Sequence, residues 1–84
     1  MYLIYRTKLC VWVIQPDIRG GVSLNRIFDG KAEASNRFAN TALAMQVVFL
    51  QKTGFSDWDS QPRRFIPSTI GIPGKWESVE NLPS

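Results

Sequence analysis

KAEASNRFANTALAMQVVFLQK, residues 31–52, contains no glycine or proline and has five alanines. Alanine is the best helix former, and a run this long without a breaker favours a helix. At about 100° per residue, Ala34, Phe38, Ala42, Met45 and Phe49 fall within about 80° of one another, the stripe a core-facing helix presents. Ala39, Leu43 and Leu50 widen it on one side and Val48 on the other. Glu33 and Arg37 are spaced for an i,i+4 ion pair on the opposite side. Asp29 is placed to cap the first turn, and Lys52 lies near the negative end of the helix dipole. Gly54 suits a left-handed C-cap, with Phe55 packing back on the last turn. The pattern predicts one long helix over about residues 31–53.

Such a helix needs a surface to cover, and the preceding residues supply one. Met1–Gln15 is dominated by Tyr, Ile, Val, Thr and Trp, which favour strands. The run Leu9–Ile14 does not alternate, as expected of a strand buried on both faces. Pro16 ends it. Pro16–Gly21 reads as a loop, and Val22–Phe28 returns as a second strand, with Arg26 and Ile27 breaking its alternation. The expectation is an N-terminal β-hairpin, about 2–15 and 22–28. Phe38, Ala42, Met45 and Phe49 of the helix would pack on its Trp12, Val22 and Leu24.

After Phe55 the periodicity stops. Pro62, Pro67, Pro73 and Pro83 divide the remainder. Ile72-Pro73-Gly74-Lys75 has the residues of a type II turn and could join short strands at Thr69–Ile72 and Lys75–Val79. The fold class read from the sequence is therefore α+β: residues 1–55 a compact ββα core, and 56–84 an irregular Pro/Gly-rich extension of the same single domain. Two strands and one helix are thin for independent stability. The extension or a partner must complete them.

Composition narrows the function. The 84 residues carry a net charge of +3 and no histidine, which removes the commonest general base and metal ligand. One cysteine, Cys10, makes no internal disulfide or structural zinc site. Without staples, a domain this small points to a reducing, cytoplasmic compartment. No apolar run approaches the ~20 residues of a membrane span. Cys10 lies in the most apolar stretch, where a buried, unreactive thiol is expected.

The candidate motifs are sparse. Asp57-Trp58-Asp59 offers two carboxylates but lacks the further oxygen ligands a cation needs. Arg19-Gly20-Gly21 is a single RGG-like triplet in a loop and fits no phosphate-binding loop, and Asp29-Gly30-Lys31 places a glycine and a lysine at an expected helix start, which can hold a phosphate as any lysine there can. No catalytic residue, cofactor or metal site is read here, and the protein is not expected to be an enzyme.

Two binding readings remain. Positive charge collects in the first part: residues 1–54 hold seven Lys/Arg against three Asp/Glu, residues 55–84 three against four. Arg6, Lys8, Arg19 and Arg26, interleaved with aromatics, would be the contacts of a nucleic-acid-binding hairpin. The favoured reading is a protein–protein contact made by Trp58, Arg63, Arg64, Phe65 and Trp76. Arg63–Ile66 is bracketed by prolines, which lower the entropy lost on docking, and Trp and Arg are common interface anchors. The sequence thus points to a small non-catalytic interaction module, an accessory subunit of a larger assembly or a homo-oligomer.

Overall fold

The computed structural model of the chain describes residues 1–83. Five strands form one antiparallel sheet: β1 (Tyr2–Arg6), β2 (Val11–Pro16), β3 (Val22–Phe28), β4 (Lys31–Phe38) and β5 (Glu77–Val79). Their spatial order is β4-β3-β2-β1-β5. Helix α1 (Thr41–Phe49) follows the meander, and a single-turn helix α2 (Ser56–Asp59) follows α1. Three 3₁₀ turns, Arg63–Phe65, Ser68–Gly71 and Pro73–Lys75, lead to β5. The α+β class stands, with a larger sheet and a shorter helix than expected.

The single long helix expected over 31–53 does not form. Asp29 and Gly30 do not start a helix. Both have positive φ, 53° and 77°, and they join Phe28 to its cross-strand partner Lys31. That is the two-residue hairpin turn that Asp-Gly favours most, because its twist matches that of the flanking strands. Residues 31–38 therefore continue the meander as an edge strand. Within β4 the partly buried positions are Glu33, Ser35 and Phe38. The register shifts between Leu24 and Asn25, opposite Ser35, and a bulge and charges on an edge strand deter further pairing.

Helix α1 starts instead at Asn40, whose side-chain oxygen accepts from Leu43 N at 3.0 Å. It ends in a Schellman arrangement. Lys52 N donates to Val47 O and Gln51 N to Val48 O, with Gln51 in the left-handed region at φ 57°. Gln51, not Gly54, makes the left-handed cap. The buried face of α1 is Ala44, Met45 and Val48. Of the five residues at the centre of the expected stripe only Met45 is buried, with Val48 from its margin; Ala34 and Ala42 are exposed, and Phe38 and Phe49 are half-buried.

The single N-terminal strand expected over 2–15 does not form either. Residues 2–15 are two strands, separated by a turn at Thr7–Cys10. Thr7 N donates to Cys10 O at 2.9 Å, the Thr7 hydroxyl donates to the same oxygen at 2.7 Å, and Cys10 N donates to Thr7 Oγ1 at 3.1 Å. The expected pairing of the second strand with 22–28 holds, from Val11↔Ile27 to Pro16↔Val22.

β2 lies at the centre of the sheet, which accounts for its non-alternating run. Trp12 and Ile14 join Leu24, Ala44, Met45 and Val48 in the main core. Val13 points to the other face and is buried beside its cross-strand partner Ile4. Trp58, Ile66, Ile70 and Trp76 from the extension complete the main core. The indoles of Trp58 and Trp76 donate to Val48 O at 2.9 Å and Ile70 O at 2.8 Å. Thr69–Ile72, expected as a strand, is mostly 3₁₀ turn; of Lys75–Val79, residues 77–79 pair with β1.

Candidate functional site: a basic groove beside Phe65

Pro62 and Pro67 set extended backbone on either side of the Arg63–Phe65 turn, with φ near −58° and ψ of 141° and 129°. The tight turn between them sends its side chains in different directions. Ile66 goes into the core. Arg63 turns back to the end of α1, where its guanidinium donates to Phe49 O and to Gln51 Oε1 and lies over the Phe49 ring. It satisfies an open carbonyl at a helix C-terminus, where cations are favoured. Arg64 and Phe65 face outward. Phe65 is 58% exposed, and the Arg64 guanidinium carbon sits 4.8 Å from its ring centroid.

Arg64 and Phe65 form one wall of an open groove of about 720 Å³. The β1–β2 turn forms the other wall, with Lys8 and Leu9, beside Arg6 at the end of β1. Trp58, Gln61 and Pro67 close it between the walls. No aspartate or glutamate lines the groove. Arg6 is held by an exposed ion pair with Glu77. Lys8 and Arg64 have no carboxylate partner among the described residues.

The groove draws one half from each expected set: Arg6 and Lys8 from the nucleic-acid contacts, Arg64 and Phe65 from the protein-interface contacts. The remaining residues lie elsewhere. Trp58 is 1% and Trp76 6% exposed; both are core residues, and Trp58 reaches the groove only as its floor. Arg63 caps α1. Arg19 belongs to the β2–β3 loop, at the opposite end of β2 from the groove. There it donates to Asp17 through its backbone N and its guanidinium at 2.8, 3.1 and 3.2 Å. Those bonds, with one from the Ser23 hydroxyl, hold the Asp17 carboxyl well below the usual range. Arg26 is 4% exposed and stands as a correction: a guanidinium inside the protein does not meet a phosphate backbone.

Arg26 is instead the centre of a buried lock. It makes two hydrogen bonds to Asp57, at 2.8 and 3.0 Å, and one to Glu33 at 3.2 Å. The Phe55 and Phe28 rings flank it, 4.0 and 4.8 Å away. Burial works against its charge, but Asp57 and Glu33 outweigh that and raise its pKa. The Arg26 bonds lower that of Asp57. Asp59 has a different task. It accepts from Thr53 N, the Thr53 hydroxyl and Gly54 N at 3.0, 2.8 and 2.8 Å. The two carboxylates of Asp57-Trp58-Asp59 are thus each engaged within the fold. Cys10 is buried and its thiol pKa raised, chiefly by that burial.

Sequence reasoning missed Thr7 and Leu9 as groove residues because the turn at Thr7–Cys10 was hidden inside one expected strand, and Gln61 and Pro67 because only the fold sets that turn against them. The polar break Thr7-Lys8 between two β-rich runs was the available signal. Compared with protein-family models, curated proteins and solved structures, the chain matches none.

Proposed function

We propose that the protein is a small non-catalytic interaction module, an accessory subunit or a homo-oligomer, whose contact surface is the groove between the β1–β2 turn and residues 61–67. One observation carries the reading. An exposed phenylalanine, an arginine stacked on it and a lysine on the facing turn surround an apolar floor, and they are mounted on a rigid core. Anchors of this kind, pre-positioned, lose little entropy on docking. Trp58 behind the groove is fixed by its hydrogen bond to Val48 O, so the floor does not have to reorganise.

The nucleic-acid alternative has less support. Its four cations are split between the two ends of β2 and the interior, and no continuous basic track results. Single-strand binders follow the backbone with such a track and offer several stacking surfaces.

The test is association. Light scattering over a concentration series measures self-association, and native mass spectrometry of protein purified from its source cell measures association with another chain. Phe65→Ser or Arg64→Gln weakens the observed association by at least ~1–2 kcal/mol, as for a modest hot spot, while Arg37→Gln, on the edge strand β4 across the sheet from β1, leaves it unchanged. A monomer in both measurements, or equal association for all variants, overturns the reading.

A further inference from the structure

We infer that the groove takes an extended acidic segment of a partner protein, with a bulky apolar side chain next to one or two carboxylates. The inference rests on the groove being the contact surface and names what it contacts.

Charge favours such a segment. The groove is lined by three cations and no anion, and one of the three, Arg6, is already neutralised by Glu77. Two cations remain to be matched, Lys8 and Arg64, one on each wall. A segment with one or two carboxylates balances them. A nucleic-acid strand would bring more phosphates than the groove has cations.

Geometry favours it as well. Stacking on Phe65 holds the Arg64 guanidinium as a planar fork whose edge has no partner among the described residues. A fixed fork of N–H donors matches the two oxygens of a carboxylate. The same stacking occupies one face of the Phe65 ring and leaves one face, not several stacked rings, for a base. Half-buried Leu9 and Pro67 present apolar surface in the groove, with buried Trp58 behind them, so the segment gains most if an apolar side chain lies beside its carboxylates.

The test uses the full chain, isotopically labelled, and three probes: a short peptide with two glutamates flanking a leucine, the same peptide with glutamines, and oligodeoxythymidylate. The expected result is amide shifts confined to residues 7–10 and 61–67 with the glutamate peptide. Its affinity should exceed that of the glutamine peptide by about tenfold or more, the worth of hydrogen bonds to charged groups. Arg64→Gln and Lys8→Gln, both at exposed positions and each checked for an unchanged amide spectrum, should each remove most of that difference. Equal affinity for the two peptides overturns the inference, as does tighter binding of the oligonucleotide at the same residues. Either outcome leaves the groove as a contact surface. Shifts from the glutamate peptide elsewhere, or none, also overturn it. The groove reading itself falls separately, when Phe65→Ser leaves association unchanged.

Discussion

Arg26 and Asp57, 31 residues apart in the chain, are joined by two hydrogen bonds of 2.8 and 3.0 Å. The pair ties β3 to the start of the C-terminal segment, directly before Trp58 enters the core. Its consequence is positional. Trp58 and Gln61 line the groove with α2 held against the sheet, and this pair links α2 to the sheet while Gln51 and Val48 O hold the same segment to the end of α1.

Asp57→Asn should therefore destabilise the fold by about 1.5–3 kcal/mol, the range for hydrogen bonds to a charged group. The lower end is expected, because the Asp57 side chain keeps 39% of its exposure and the pair is partly screened. The contribution depends on pH with a definite sign. Asp57 titrates below its ordinary 3.8 in the folded protein, so on acidification the unfolded chain takes up the proton first. The stabilisation is complete above the ordinary value and is lost as pH falls through the folded value. Urea unfolding of wild type and variant at neutral pH and at about pH 3 checks this: the gap between them should narrow in acid.

Gly30→Ala separates the hairpin from the helix. At the observed φ of 77° an alanine is strained, and the variant should lose about 1–2 kcal/mol. Were Gly30 the first turn of a helix, alanine would be neutral or stabilising. Thermal unfolding distinguishes the two.

Met45 and Ala42 test the phase of α1. Met45 is buried and Ala42 exposed. Met45→Ala should cost about 2–5 kcal/mol, and Ala42→Ser no more than ~0.5 kcal/mol. Equal effects on denaturation midpoints would place the wrong face against the sheet.

Cys10 should resist a thiol-specific reagent in the native protein and react fully on denaturation. Burial both shields the sulfur and disfavours the thiolate that would attack. Stoichiometric labelling of the native protein at the rate of a free thiol would contradict its placement.

The sequence carried the central strand well. Leu9–Ile14 was legible as doubly covered because Trp12, Val13 and Ile14 are apolar without alternation, and the structure buries all three. Residues 31–38 were not legible by composition. Ala32, Ala34 and Lys31 favour a helix locally, and cross-strand pairing with β3 overrode that preference, as tertiary context does. Asp29-Gly30 did announce the hairpin, but its other use, as cap and spacer before a helix, fitted the alanines that follow. The groove was half legible. Arg64 and Phe65 stood out between prolines, yet which of two adjacent arginines folds back onto the chain depends on where the end of α1 lies. Arg26 looked like any basic residue on a strand. Only the fold brings Glu33 of β4 and Phe55 and Asp57 of the C-terminal segment around it, beside Phe28 of its own strand.

Site-specific photo-cross-linking from position 65 in the source cell tests the central claim, that the groove is the contact surface, most directly. A photoreactive phenylalanine analogue at Phe65 should give a discrete adduct with one partner chain, or with a second copy. The adduct should be lost with Arg64→Gln, and absent when the analogue is placed at exposed Asn36 on the edge strand. Adducts of the same pattern and yield from both positions, or none from position 65, would contradict the account.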